Sequence, residues 1–393
     1  METSEAALDL DTVLKSDMTK ALTAQLQWLD LHKASVTRTF LASEPGLAYA
    51  PCEPGSEQPK VPVRLPAVEL HEFERAIIST RSSSVLVSDR LVVERVEGVD
   101  TAICDFVTGH LAAHNETQAM ITIRGAVIDV PRGIFMCGNG ASNYYHFLIE
   151  ILPRLRYLLG DPLMQNYPLL VDESVAREPN WREALDTVSG GHPCLVLPAH
   201  RSYRVGNLLY VSTPNALPFN LRADIKVEVG HALTRPSTIE FLRERFGVGA
   251  VSASSSQYAH MPKRIFLARR PGGVRNYNQE EIAAVLESFG FVTMHMDALP
   301  VAQQARLMSN ADMVAGGSGA AWSNLAFIRP GAKCLCWNAD RGFSAFCNLA
   351  QAAGAELKYL FYDTDVVSTR ELYKLDYRLD PDAVRSAIQQ LGG

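Results

Sequence analysis

The sequence has no apolar run long enough to cross a membrane. Its first residues, METSEAALDLDTVLKSD, are acidic and contain no apolar h-region, so the expectation is a cytoplasmic chain without a secretory leader. Basic excess is also missing. The net charge of −6 argues against a broad nucleic-acid surface and leaves room only for a local basic pocket. No cysteines and histidines have zinc-like spacing, so no structural metal is expected. The seven cysteines are an odd number that suits reduced thiols, and Cys334 and Cys336 fit core packing on one face of a strand.

Two motifs are incomplete, and each gap excludes a class of enzyme. Neither GNGASN (138–143) nor GGSGAA (316–321) completes the G-x-G-x-x-G fingerprint of a dinucleotide-binding oxidoreductase. GGSGA comes within one residue of the nucleophile elbow G-x-S-x-G and would set Ser318 on a strand-to-helix turn. A hydrolase of that fold needs a histidine after its serine, but the last histidine here is His295.

What is present is a 393-residue chain, 47% hydrophobic and 20% charged, long enough for two globular domains. Its most informative stretch is 138–159, GNGASNYYHFLIEILPRLRYLL. A Gly/Asn/Ser loop, with Ser142 or Asn143 as cap, feeds a helix apolar on nearly every side, hence buried. His146, Glu150 and Arg154 recur at i, i+4, i+8 with Tyr157 beside them, which predicts one polar stripe. Buried ionisable groups must pair or face a water-filled cleft. The stripe is therefore either a site at an internal cleft or a Glu150–Arg154 salt-bridge ladder at the surface. Pro153 predicts a kink, or a break into two short helices.

In chain order, residues 1–66 read as a helical extension and linker. Its leucines predict a partly amphipathic helix over 5–43 that packs on the body or forms a homodimer contact. The Pro/Gly/Ser-rich segment 44–66 is a linker or an extended crossing segment. Short strands, the buried helix and further strands make an α/β domain over 67–220. Residues 221–260 hold a linker helix (STIEFLRERFGV) and a Ser-rich loop. From 261 to 370 strands and helices alternate strictly (RIFLA, QEEIAAVLESFG, FVTMH, LPVAQQARLMSN, DMVAG, AAWSNLAFI, KCLCW), which predicts a parallel Rossmann-like sheet. Residues 371–393 end in a helix that packs back on the body.

Ligands bind such sheets at the C-terminal ends of strands. Two loops there favour anions. RRPGGVRNYN follows RIFLA and carries Arg269, Arg270 and Arg275, whose guanidinium forks match phosphate oxygens, although solvated surface arginines are common. GGSGAAWSN (316–324) presents backbone N–H groups to a diphosphate, or else uses small residues for close packing.

Taken together, NYYHFLIEILPRL, RIFLARRPGGVRNYNQEEIAAVLESFGF and ADMVAGGSGAAWSNLAFIRPG resemble glycosyltransferase family 61, including bacterial members tied to capsular or exopolysaccharide synthesis. The likeness covers about 130–335. It implies a GT-B-like α/β fold, two Rossmann-like domains facing a cleft. It also implies an inverting, metal-independent transfer from a UDP-linked nucleotide-sugar, which is a substrate rather than a cofactor. The acceptor would be a glycan or lipid-linked glycan, reached by a protein without a transmembrane segment that associates peripherally with membrane.

By position, His146 and Glu150 match the family's His and Glu, and Arg264, Arg269 and Arg275 match its basic positions. Asn278 matches the Asn of an Asn-Glu pair in which Gln279 replaces the Glu. Ser318-Gly319-Ala320-Ala321 stands where the family commonly has His-Gly-Ala-Gly. The expected roles follow. His146 with Glu150 supplies the base, either His146 oriented by Glu150 or Glu150 directly. Arg264, Arg269, Arg275, Asn278, Asn324 and residues Gly317, Ser318, Gly319 and Ala320 hold the donor. Asn143, Tyr145 and Arg154 face the acceptor. The alternative is a non-catalytic nucleotide-sugar or glycan-binding subunit of a polysaccharide assembly complex, to which the Ser318 and Gln279 departures point.

Overall fold

The computed structural model describes residues 19–95, 100–215, 222, 225, 227–248, 260–270, 272–364, 372 and 374–392. Within them the expected N-terminal helix is absent, and the part of it over 5–18 lies outside the described residues. Lys20–Trp28 (β1) and Val36–Leu41 (β2) are strands instead. The leucines at 22, 26 and 29 fit a helical period, but Ala24 lies between two of them and is buried with Leu26 while Gln25 and Gln27 point elsewhere. That alternation is the period of a strand, and pairing with distant partners fixes it.

The segment expected as a linker or crossing segment folds as an antiparallel hairpin, Glu44–Tyr49 (β3) with Lys60–Leu65 (β4). It crosses to the second half of the chain. The Tyr49 N–H donates to Asn348 Oδ1 at 2.7 Å, and the Tyr359 N–H donates to the Cys52 carbonyl at 2.8 Å.

The remaining strands of the first half are Val68–Ile78 (β5), Val85–Val87 (β6), Arg90–Val93 (β7), Leu111–His114 (β8), Gln118–Ile123 (β9), Ile128–Met136 (β10), Leu169–Asp172 (β11), Cys194–Leu197 (β12) and Tyr203–Val211 (β13). With β1 and β2 they form one eleven-stranded sheet in the order β12-β11-β10-β13-β5-β6-β7-β1-β9-β8, with β2 also on β5. β12, β11, β10 and β13 form a parallel run, which β5 joins antiparallel, and β1 pairs β7 in parallel further along the sheet. The first half is thus built on a mixed sheet rather than the parallel sheet of the Rossmann-like domain that the resemblance implies. Its antiparallel part comes from the short, turn-punctuated runs between 68 and 123.

The second half follows the sequence pattern closely. Arg264–Leu267 (β14), Val292–Met294 (β15), Met313–Gly317 (β16), Lys333–Asn338 (β17) and Glu356–Phe361 (β18) form a wholly parallel sheet in the order β15-β14-β16-β17-β18. β16 is buried at every residue and β17 at all but its first, as strands covered on both faces must be. The C-terminal helix Pro381–Gln390 packs beside Gln279–Glu287 on this same sheet, with Val384 and Ile388 in its core.

One apolar cluster joins the two sheets. It runs from Leu148, Leu152 and Leu155 through Leu169 and Val171 to Trp322, Leu325 and Phe346.

Candidate functional site

The helix at 144–157 is wound three ways. Asn143 caps it, its Oδ1 accepting the Tyr145 N–H at 2.9 Å. Tyr144–His146 is α-helical, Phe147–Ile151 is π-helical and Leu152–Tyr157 is a 3₁₀ helix. Pro153 accounts for the break. It has no N–H to offer the Ile149 carbonyl, which instead accepts a hydrogen bond from Asn215 Nδ2 at 2.7 Å.

This change of winding divides the expected polar stripe. His146 Nδ1 and Glu150 Oε2 remain together at 3.0 Å. Both side chains are largely buried, and Glu150 Oε1 has no hydrogen-bond partner among the described residues. Gly140, at φ +76°, makes room for the imidazole, since a Cβ there would lie 2.6 Å from His146 Cγ and Cδ2. Tyr145 packs between His146 and Phe346, at ring distances of 5.9 and 5.8 Å. Burial, and secondarily the Glu150 charge, holds its phenol well above the usual range, so it stays protonated.

Arg154 turns away from the pair. Its Nη2 donates to Thr213 Oγ1 at 2.6 Å and stands 3.6 Å from Glu94 Oε2, with the guanidinium over the Tyr210 ring. Its Nε and Nη1 lack partners among the described residues. Tyr157 packs on Phe40. The polar face is therefore one His–Glu pair, while Arg154 belongs to a separate network with Glu94, which the sequence did not single out.

In the second sheet the order β15-β14-β16-β17-β18 reverses direction between β14 and β16. In such sheets that is the point at which the C-terminal strand ends open a ligand crevice. The loops leaving these two strands meet there. Arg269 Nη2 and Arg275 Nη1 both donate to the Ser318 carbonyl, Arg275 at 3.0 Å. The two guanidinium groups thus converge on one backbone carbonyl at the crevice, where they can also reach the oxygens of a bound anion. The Ser318 hydroxyl and Arg269 Nε are buried without partners among the described residues. Arg275 holds φ +62°, a left-handed conformation uncommon for a side chain of its size.

The small residues of the turn also serve packing. A Cβ at Gly316 would meet Leu267 Cβ at 2.8 Å, and one at Gly317 would lie 2.9 Å from both Trp337 Nε1 and Tyr377 Oη. Tyr362 stacks on Tyr377 at 4.2 Å. Burial pushes the Tyr362 phenol up to about 12, while Arg275 and Arg269 pull it down, so the ring faces the guanidinium pair as a neutral donor.

Gln279 takes part in an unexpected way. Its Oε1 accepts the Arg269 N–H at 2.7 Å and its Nε2 donates to the Arg269 carbonyl at 2.8 Å. This clasp uses both ends of an amide; a carboxylate could supply only the acceptor.

The two loci are neighbours. Tyr144–His146 packs on Ala320–Phe327, the 3₁₀ segment that starts directly after Gly319. A Cβ on Gly319 would stand 3.2 Å from Arg269 Nη2 and one on Gly317 3.5 Å from its Nε, so Gly317, Ser318 and Gly319 lie against the arginines, and Ala320 opens the 3₁₀ segment that follows.

Three expected donor residues are engaged otherwise, Asn278 in a neighbouring cavity that it lines with Arg269 and Arg270. Arg264 is the first residue of β14, at the end of the strand away from Arg269, and donates to the Phe289 carbonyl at 2.6 Å. Asn278 ties down the C-terminal segment, its Oδ1 accepting from the Leu379 N–H and its Nδ2 donating to the Leu379 carbonyl. Asn324 is wholly buried and donates to Gln304 Oε1 at 2.8 Å. Conversely, Asn338, Asp340, Tyr362 and Tyr377 line the crevice with Arg269, Arg275 and Ser318. The strand-end rule that found Arg269 applies equally to the residues after KCLCW and would have found Asn338 and Asp340.

A family model described as glycosyltransferase 61 matches residues 144–335, which span both loci. No curated protein matches the chain.

Proposed function

We propose that this chain, whose residues 144–335 match the glycosyltransferase 61 family model, moves a sugar from a UDP-linked nucleotide-sugar to a glycan or lipid-linked glycan acceptor, with inversion, in capsular or exopolysaccharide synthesis. The observation that carries this reading is the convergence of Arg269 and Arg275 on Ser318 at the sheet's switch point, beside a helix bearing the His146–Glu150 pair.

The reaction is a single displacement. The acceptor hydroxyl loses its proton to the His146–Glu150 pair as its oxygen forms a bond to the anomeric carbon. The bond from that carbon to the diphosphate breaks, and its electron pair leaves on a phosphate oxygen. Arg269 and Arg275 meet that charge. The crevice between them has room for about 10 Å³, near the space of one water. The guanidinium groups therefore swing off the Ser318 carbonyl to take the diphosphate, and closure of the two halves on the donor accompanies this. In this reading 67–220 is the acceptor side and 261–370 the donor side. The seven cysteines are free thiols, which suits the cytoplasm.

The second reading, a binding subunit without turnover, draws on Gln279 and Ser318 as departures from the family pattern. Gln279 is engaged as a loop clasp, which supports an intact donor loop. The test is a thermal-shift screen of nucleotide sugars, followed by UDP release from the one that stabilises the protein. Release by the wild type and its loss in Glu150→Gln would support transfer. Stabilisation with no release from any acceptor or water would support the binding subunit.

A further inference from the structure

A second basic cavity lies in the first half of the chain, outside the site described above. It has room for about 360 Å³, within the range of small-ligand pockets, roughly 300–1,000 Å³. Arg81, Arg124, His200 and Arg201 line it, and none of its lining residues is acidic. In a chain of net charge −6 this is a local reversal of sign.

The arginines differ in their pairing. Arg81 leans on Asp172 and Glu173 at 3.4 and 3.5 Å. For Arg124 the hydrogen-bond partner among the described residues is His200, Nη1 to Nδ1 at 3.4 Å, and His200 holds a left-handed backbone at φ +63°. At the cavity wall His110 is 3% exposed. Its Nε2 is taken by Ser84 Oγ at 2.9 Å, and its Nδ1 has no partner among the described residues. Burial lowers its pKa to about 4, so it is a neutral ring at physiological pH.

The cavity is one loop away from His146. Residues 79–84 line it through Ser79 and Arg81. The same loop holds the backbone beside the His–Glu pair, with the Thr80 carbonyl accepting the Gly138 N–H at 2.9 Å and Ser83 Oγ accepting the Asn139 N–H at 3.0 Å.

We propose that this cavity binds an anionic group, a phosphate or a uronate carboxylate, held by Arg124 and Arg201 with Arg81 behind them. Its position beside the 79–84 loop makes the anion part of the acceptor. That attribution rests on the transferase reading; the anion site does not. A phosphate would come from a lipid-linked acceptor, and a carboxylate from an acidic glycan.

The test uses the full chain with the donor arginines already replaced (Arg269→Gln, Arg275→Gln), so that the donor crevice cannot account for binding. Calorimetry would measure inorganic pyrophosphate, trigalacturonate and, as a neutral control, maltotriose. The expected result is binding of one anion, weakened by salt. Adding Arg124→Gln and Arg201→Gln should reduce it about tenfold or more, the scale of charge-assisted hydrogen bonds. Both added positions are exposed, so an unchanged melting curve shows that folding is retained. Pyrophosphate binding identifies the phosphate source and trigalacturonate the carboxylate source. Binding of neither anion, or equal binding after the two added substitutions, overturns the proposal. Failure of the transferase reading would appear separately, as absence of UDP release from the wild type.

Discussion

His146 Nδ1 lies 3.0 Å from Glu150 Oε2 across a turn that widens into a π-helix, and Gly140 closes over the imidazole from the other side. The carboxylate fixes the ring's orientation and tautomer. Glu150→Asp withdraws the carboxylate by one methylene and opens that contact. Turnover should fall by about 10²-fold or more, the lower end of what a positioned acid–base group supplies. His146→Ala should lose at least as much. Initial rates of UDP release, measured beside melting curves, check both. Near-wild-type turnover in either variant would remove that residue from the base assignment.

Arg269 and Arg275 reach the Ser318 carbonyl, whereas Arg264 sits at the opposite end of the same strand. Replacing either Arg269 or Arg275 by Gln should weaken UDP binding by about tenfold or more, because a charge-assisted contact is lost. Arg264→Gln should leave UDP affinity unchanged and lower stability modestly through the Phe289 carbonyl it abandons. Titration calorimetry with UDP separates the two cases. An equal loss at Arg264 would contradict the placement of the donor.

Gly140 and Gly317 have no space for a side chain. A Cβ at Gly140 would press on His146, and its φ of +76° is unfavourable for alanine. A Cβ at Gly317 would press on Trp337 and Tyr377. Each alanine variant should destabilise by about 1–3 kcal/mol, the usual cost of overpacking or a strained backbone. Gly140→Ala should also displace His146 and cost turnover out of proportion to its melting temperature. Urea unfolding and UDP release on the same preparations test this, and a variant as stable as wild type would contradict the contact.

Two buried histidines set the acid limit of stability. Burial lowers the pKa of His71 and of His110 from 6.5 to about 4. The unfolded chain therefore binds more protons between those values, and stability falls as pH drops below 6.5. By pH 5 each should cost about 2 kcal/mol. Urea midpoints at pH 7 and pH 5 measure it. A flat profile across that window would mean that neither ring is held neutral by the fold.

How much of this was legible beforehand differs between the two halves. The parallel sheet was readable in β14 to β17, because short, largely apolar runs alternate there with loops and helices, and the strand-end rule then placed Arg269, Arg275 and Ser318; β18, which Lys358 interrupts, was not read. β1 was not, because Leu22 and Leu26 satisfy a helical spacing and a strand spacing alike, and Leu29, which lies past the strand's end, extends only the helical one. Only pairing with Leu91 and Ile121, far along the chain, decides between them. The His146–Glu150 contact survived from the i, i+4 spacing. The place of Arg154 did not, because that spacing assumes uniform winding, and Pro153 changes the winding between Glu150 and Arg154. Arg264 was misplaced for a simpler reason: it begins its strand, and ligands collect where strands end.

β5 carries a consequence for synthesis of the chain. Its one edge pairs with β2 and β6, whose residues leave the ribosome at nearly the same time, but its other edge waits for β13. Ile78 pairs with Tyr203, so 125 residues (203 less 78) must follow before that edge can be covered. At about 5–20 residues per second, the row of N–H and C=O groups stays open for roughly 6–25 s. An uncovered strand edge pairs with other strands. Nascent chains halted before Tyr203 should therefore be the aggregating species, and holdase binding should be strongest at that length.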